Sequence, residues 1–328
     1  MNSVLELATT KKLLVYSGDA HPALAADIAA HLGVTLGEPN LRTFPNGELH
    51  CRFDESIRGA DVFIIQTHCG SVNDSVMQQL LMIDAAKRAS AKRITAVCPL
   101  YGYSRQDRKA SGREPIAAKL VADLLTVAGA DRIMSVDLHS GQIQGFFDGP
   151  VDHLTADPVL LDYLIANAGH DLVVVAPDAG RVKVAERFSQ RLGSDLAFVN
   201  KYRPKGASAD TVLARDVIGE VDHRLCVVID DRIDTGGTIV AAADILMEHG
   251  ATDVWAMATH GVLAGEAIDK LKNSCISRVV ITDTVPLPPE KQIDKLEVLS
   301  SAQIIASAIN AVFEDTSVSE IFDGQNLS

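Results

Sequence analysis

A chain of 328 residues has room for about two domains, and an apolar content of 47% excludes a disordered or fibrous protein. Lys and Arg number 30 against 43 for Asp and Glu, a formal charge of −13, so neither nucleic acid nor an anionic membrane is an expected partner. A phosphorylated small molecule remains open, because a local cluster of amides, lysine and Mg²⁺ can hold a phosphate on an acidic protein.

In chain order, short runs rich in Val, Ile and Leu occur at Lys12–Tyr16, Val62–Gln66, Ile94–Cys98, Ile133–Val136, Leu172–Ala176, Leu225–Ile229, Val254–Ala258 and Val279–Thr282. Segments of helical period separate them, among them Asp74–Ser90, Pro115–Ala128 and Thr238–His249. That alternation predicts an α/β protein with parallel sheets flanked by helices. Part of the pattern repeats: Asp123-Leu124-Leu125, Gly129-Ala130 and His139 match Asp244-Ile245-Leu246, Gly250-Ala251 and His260 at a constant offset of 121. Duplication of one α/β domain is the better account of that repeat than chance. It divides the chain into halves of 12–154 and 155–322, with tails at 1–11 and 323–328.

The five cysteines are odd in number and never in a Cys-x-x-Cys spacing, so neither a disulfide framework nor a zinc cage is indicated. No apolar leader precedes Lys12, and the longest uncharged run, Val298–Phe313, is interrupted by serines, Gln303 and Asn310. A soluble, cytoplasmic protein is the expectation.

Asp230-Asp231-Arg232-Ile233-Asp234-Thr235-Gly236-Gly237-Thr238 carries the strongest chemical signal, following an apolar run and opening a helical pattern. A strand end, glycines and a helix N-terminus together aim backbone N–H groups at one point, which suits a phosphate monoester. Thr235 and Thr238 add hydroxyls, and Asp230 and Asp231 suit vicinal sugar hydroxyls or a metal's water shell. Asp-Thr-Gly-Gly alone reads equally well as an acidic strand end with an ordinary N-cap at Thr238. No Walker A pattern is present.

Tyr103-Ser104-Arg105-Gln106-Asp107-Arg108-Lys109 puts three cations within five residues on a Gly-containing loop, a candidate cover for a triphosphate or simply a solvated basic loop. His139 and Asp178 each follow a strand, where ligands sit in open α/β sheets. Lys201-Tyr202-Arg203-Pro204-Lys205 follows an apolar run and fits either a segment that swings over a reacting phosphate or a surface turn.

Taken with Phe44-Pro45-Asn46-Gly47-Glu48, Gln142–Phe147 and Pro177-Asp178-Ala179-Gly180, these motifs in this order resemble the ribose-phosphate pyrophosphokinase family from about Lys12 to Phe322. The resemblance implies two tandem domains of the type I phosphoribosyltransferase fold. It implies transfer of the diphosphoryl group of Mg-ATP to the anomeric hydroxyl of ribose 5-phosphate, releasing AMP. Lys201 then matches the catalytic lysine, with Arg203 beside the sugar phosphate; Asp230, Asp231 and Asp234 to Thr238 match the ribose 5-phosphate loop. Arg105, Gln106 and Asp107 match the ATP loop, Phe44, Asn46, Gly47 and Glu48 an adenine site completed by a neighbouring subunit, and His139 and Asp178 the positions associated with Mg²⁺. Ser56, Arg58, Arg113, Ser317 and Ser319 match a regulatory phosphate/ADP site, and homodimers gathering into a hexamer are implied. Arg232 stands where Met is usual in the family, and Arg181 where many relatives have Gly. The rival readings are a phosphoribosyltransferase that consumes the product, and a noncatalytic regulatory homologue.

Overall fold

The computed structural model describes residues 11–169, 171–202, 213–322 and 324, the side chains of 201, 202 and 213–215 excepted. Two compact units emerge: one comprises Met1–Ser135, Gln142–Asp152 and Ala306–Val318, the other Val136–Gly141, His153–Ile305 and Ser319–Ser328.

Unit one is built on β1 (Leu13–Ser17), α1 (Pro22–Leu32), β2 (Leu36–Gly37), β3 (Asn40–Thr43), β4 (Leu49–Arg52), β5 (Asp61–Ile65), α2 (Val72–Arg88), β6 (Arg93–Cys98), α3 (Ala117–Ala128), β7 (Arg132–Val136) and β8 (Val151–Leu154). The sheet order is β2-β1-β5-β6-β7-β8, with β1, β5, β6 and β7 paired in parallel. Every residue of β5 is buried, as expected of a strand with helices on both faces. Strands β3 and β4 form a separate antiparallel hairpin, in which β4 is partly buried against α2.

Unit two follows with α4 (Asp157–Asn167), β9 (Leu172–Ala176), α5 (Val182–Leu192), β10 (Asp195–Tyr202), β11 (Leu213–Ile218), β12 (Leu225–Ile233), α6 (Gly237–Glu248), β13 (Asp253–Gly261), α7 (Ala267–Asn273), β14 (Arg278–Thr282), β15 (Leu296–Leu299) and the start of α8 (Ala302–Phe313). The order is β11-β10-β9-β12-β13-β14-β15. Only β10 and β11 pair antiparallel; the other pairs are parallel. Val173, Val175, Val228, Val254 and Val279 from the strands pack with Ile239 and Leu246 of α6 in one buried cluster.

Two expectations shift. Strand β12 does not stop at Ile229 but runs through Asp230 and Asp231 to Ile233, because its partner β13 is equally long and pairs Asp230 with Ala258 and Arg232 with His260. The N-cap of α6 is Gly236 rather than Thr238.

Candidate active site

Gly236 adopts φ +75°, a left-handed conformation that a side chain makes costly. It turns the chain from β12 into α6, and no side chain caps the helix start. The first-turn amides, which have no acceptor inside a helix, are therefore available to an anion, reinforced by the positive end of the helix dipole. Asp234 closes the other side of the turn: its carbonyl accepts the Ala264 N–H at 2.8 Å, and its carboxylate pairs with Arg232 at 2.8 Å.

The two acids of β12 lie in a buried charge cluster. Arg181 Nε sits 3.0 Å from Asp230 Oδ1, and its Nη2 sits 2.6 Å from Asp231 Oδ1. His139 Nδ1 lies 2.8 Å from Asp231 Oδ2 and 2.7 Å from Arg181 Nη2. A carboxylate only accepts, so the 2.8 Å contact with Asp231 Oδ2 is a hydrogen bond when Nδ1 of His139 carries the proton. On a neutral ring that leaves the lone pair on Nε2, the arrangement by which a carboxylate orients a metal-ligating imidazole. Burial and the charge of Asp231 push the Asp230 carboxyl well above its ordinary range, with Arg181 opposing. Burial pushes Asp231 the same way, but the His139 hydrogen bond and Arg181 outweigh it and hold Asp231 below the usual carboxylate range.

His139 is positioned by the residues before it. Asp137, with φ +37°, is strained for a non-glycine residue and is held by hydrogen bonds from both its backbone and its side chain. Its N–H donates to the Leu154 carbonyl at 2.9 Å. Its carboxylate accepts the Ala156 N–H at 2.9 Å and the Thr259 hydroxyl at 2.6 Å. His260, fully buried and kept neutral by that burial, donates from Nε2 to the Val136 carbonyl at 3.0 Å. The repeated histidines have thus parted in role: His139 belongs to the charge cluster, and His260 supports the backbone that leads to it.

Asp178 caps a short 3-10 turn, Ala179–Arg181, by accepting the Gly180 N–H at 3.0 Å, and its charge reaches Asp230. Among the described residues no group of three or more His, Cys, Asp or Glu is placed to hold a metal ion. One imidazole and one carboxylate fit a Mg²⁺ ion that keeps waters and takes its remaining ligands from phosphates. Lys201 occupies the end of β10, opposite Ala214 of β11 across a bulge; its side chain, and Arg203 altogether, lie outside the described residues.

In unit one, the expected adenine residues form the turn of the β3–β4 hairpin. Phe44 N–H donates to Glu48 O at 2.7 Å, and Gly47, at φ +89°, returns a bond to Phe44 O. Asn46 Oδ1 accepts the Glu48 N–H. Phe44 is exposed, with Arg42 over its ring and His50 against its edge. In the loop after β6, Arg105 and Gln106 are exposed, whereas Asp107 is buried and accepts a hydrogen bond from Gln142 at 2.7 Å. Ser56, Arg58, Arg113, Ser317 and Ser319 are all exposed. The contribution of Arg181 and Arg232 to the acid cluster was not read from the sequence; the signal available was their departure from the family's usual residues at those two positions.

A family model for the N-terminal domain of ribose phosphate pyrophosphokinase matches residues 13–129, and one for the phosphoribosyl synthetase-associated domain matches 212–323. A ribose-phosphate pyrophosphokinase of Streptomyces avermitilis is 56% identical over 96% of this chain and 97% of its own length. That of Bifidobacterium longum is 54% identical over 98% and 96%. The crystal structure of phosphoribosylpyrophosphate synthetase from Mycobacterium smegmatis superposes with a TM-score of 0.88 at 49% identity, covering 93% of this chain and all of that one. With its tandem α/β architecture and an acid-rich strand leading into an uncapped helix, the chain belongs to the ribose-phosphate pyrophosphokinase family.

Proposed function

We propose that the anomeric hydroxyl of ribose 5-phosphate attacks the β-phosphorus of ATP, forming phosphoribosyl pyrophosphate as the bond to the α-phosphate's bridging oxygen breaks and AMP leaves. The observation that carries this reading is the turn at Gly236, which joins the acids of β12 to an α6 N-terminus that no side chain caps. The amides of Gly236, Gly237 and Thr238, with the hydroxyls of Thr235 and Thr238, take the 5-phosphate. Asp230 faces the sugar hydroxyls with Asp231 beside it in the same loop, and Asp234 braces the turn. Lys201 and Arg203 neutralise charge that develops on the β-phosphoryl oxygens, where a group engaged only in the transition state raises turnover. His139 and Asp178 would hold Mg²⁺, whose chemistry is to offset phosphate charge and orient the phosphate chain. The exposed Arg105 and Gln106 take the triphosphate, and the hairpin residues Phe44, Asn46, Gly47 and Glu48 take the adenine of a neighbouring copy. Asp107 shapes the ATP loop through Gln142.

Homo-oligomerisation, as dimers gathering to a hexamer, is part of this proposal. It is supported by exposed apolar side chains on α2 and α3: Met77, Leu120, Leu124 and Val127. Inorganic phosphate as activator at Ser56, Arg58, Arg113, Ser317 and Ser319 belongs to the same reading, as does the division into halves at Leu154. No described helix is long and apolar enough to cross a membrane, and all five cysteines are free thiols, which supports a cytoplasmic location. Incubation of the purified protein with ATP, Mg²⁺ and ribose 5-phosphate should release AMP and phosphoribosyl pyrophosphate in equal amounts; absence of AMP would refute the proposal.

A further inference from the structure

We propose that Arg181 is a positioning residue for the sugar: its guanidinium fork gathers Asp230 and Asp231 to one side of β12 and presents Asp230 Oδ2 to a ring hydroxyl of ribose 5-phosphate. The inference rests on the function proposed above. Consecutive side chains of a strand point to opposite faces, so neighbouring aspartates on β12 would by default carry their carboxylates apart. Here one guanidinium meets both, through Nε to Asp230 at 3.0 Å and Nη2 to Asp231 at 2.6 Å. Two adjacent buried carboxylates repel each other, and a cation bridging them removes the main force that would splay them.

The allocation of oxygens gives the two acids different work. Asp231 uses both of its oxygens on the protein, Oδ1 toward Arg181 and Oδ2 toward His139, and so serves as the anchor. Asp230 accepts its neighbour's N–H on Oδ1 at 2.8 Å, the same oxygen that Arg181 approaches. The Asp230 side chain also hydrogen-bonds with that of Asp231, and Oδ2, the oxygen that neither Arg181 nor the Asp231 N–H meets, is the acceptor turned to substrate. Arg181 is itself fixed: its N–H donates to Asp178 O at 3.1 Å, and it ends the 3-10 turn that Asp178 caps. Its side chain is only 13% exposed. A lysine, with one point of charge, cannot span two carboxylates in this way.

The test is calorimetric binding of ribose 5-phosphate and of its 2-deoxy and 3-deoxy analogues, without ATP, to the wild type, Arg181→Met and Arg181→Lys. The wild type should prefer ribose 5-phosphate over at least one deoxy analogue by about tenfold or more, the scale of one hydrogen bond to a charged group. Both variants should bind ribose 5-phosphate no better than that analogue, while the analogue itself binds as it does to the wild type. Equal weakening of all three sugars would overturn the proposal, since that is what general damage to the pocket does. Retained preference in Arg181→Met, or its restoration in Arg181→Lys, would overturn it as well. Thermal melts identify a variant that has not folded, and Arg181→Lys, which keeps the charge and most of the packing, then carries the comparison. A wild type that binds none of the sugars would refute the functional reading instead.

Discussion

In the function proposed above Lys201 and Gly236 serve the same substrate through different physics, and their substitutions should separate accordingly. Lys201→Ala should lower turnover by about two orders of magnitude or more, because a cation that meets charge formed only in the transition state contributes little to ground-state binding. Steady-state kinetics check this: a parallel rise in KM for ribose 5-phosphate would make Lys201 a substrate anchor. Gly236→Ala should act on binding, since a Cβ at φ +75° strains the turn by about 1–2 kcal/mol and shifts the amides that take the 5-phosphate. KM for ribose 5-phosphate should rise about tenfold with turnover less affected; an unchanged KM would remove the turn from the phosphate site. The turn was legible in the sequence because its acids, glycines and threonines are contiguous and its chemistry is local. Arg181 was not, because its partners sit on another strand and only folding brings β9's end against β12.

At the level of elements, the sequence pattern located the buried parallel strands and misjudged those whose burial is partial. The hairpin β3–β4, the edge strand β11 and the short β15 carry mixed polar sequences, and only pairing makes them strands. The end of β12 was misplaced for a related reason: aspartates are poor strand formers, yet pairing with β13 holds them extended. Loop geometry also depends on buried polar contacts that periodicity does not reveal, and His68 is the clearest case. At the end of β5, its Nδ1 accepts the Gly102 N–H at 2.9 Å, and its Nε2 donates to Gln79 Oε1 at 2.9 Å. The ring thereby ties the start of the candidate ATP loop to α2. Burial pulls its pKa down to about 4, against the Gln79 hydrogen bond. The unfolded chain, with an ordinary histidine, therefore takes up a proton first as pH falls. The stability His68 contributes is whole above about pH 6.5 and drains away toward pH 4, by up to about 3 kcal/mol. Asp157, which burial and Asp137 raise to about 6, works in the opposite sense, so the informative comparison is between proteins. Melting temperature should fall more steeply between pH 7.5 and 4.5 for the wild type than for His68→Gln. Equal slopes would show that His68 is not the acid-sensitive tie.

For the whole molecule, the decisive matter is whether one chain suffices for catalysis. The aromatic ring of Phe44 is exposed on a hairpin tip, with Glu48 closing the turn and no core to bury either. Such a residue gains a function if a second copy supplies the rest of its pocket. With −13 charges per chain, copies repel at long range, so association must rest on apolar area such as that around Leu120 and Leu124 and on salt that screens the repulsion. If the adenine site is shared, two inactive proteins can repair each other. A Phe44→Ala/Glu48→Ala variant and a Lys201→Ala variant, each inactive alone, should regain activity when dissociated and reassembled together. Mixed dimers then contain one site carrying both lesions and one carrying neither. Random pairing puts half of all dimers in the mixed class, and one of their two sites is intact, so recovery should approach about a quarter of wild-type activity. Recovery should also vanish if the proteins are mixed without a dissociation step. Hetero-oligomers that form, as native mass spectrometry would show, and yet remain inactive would place the adenine pocket within a single chain.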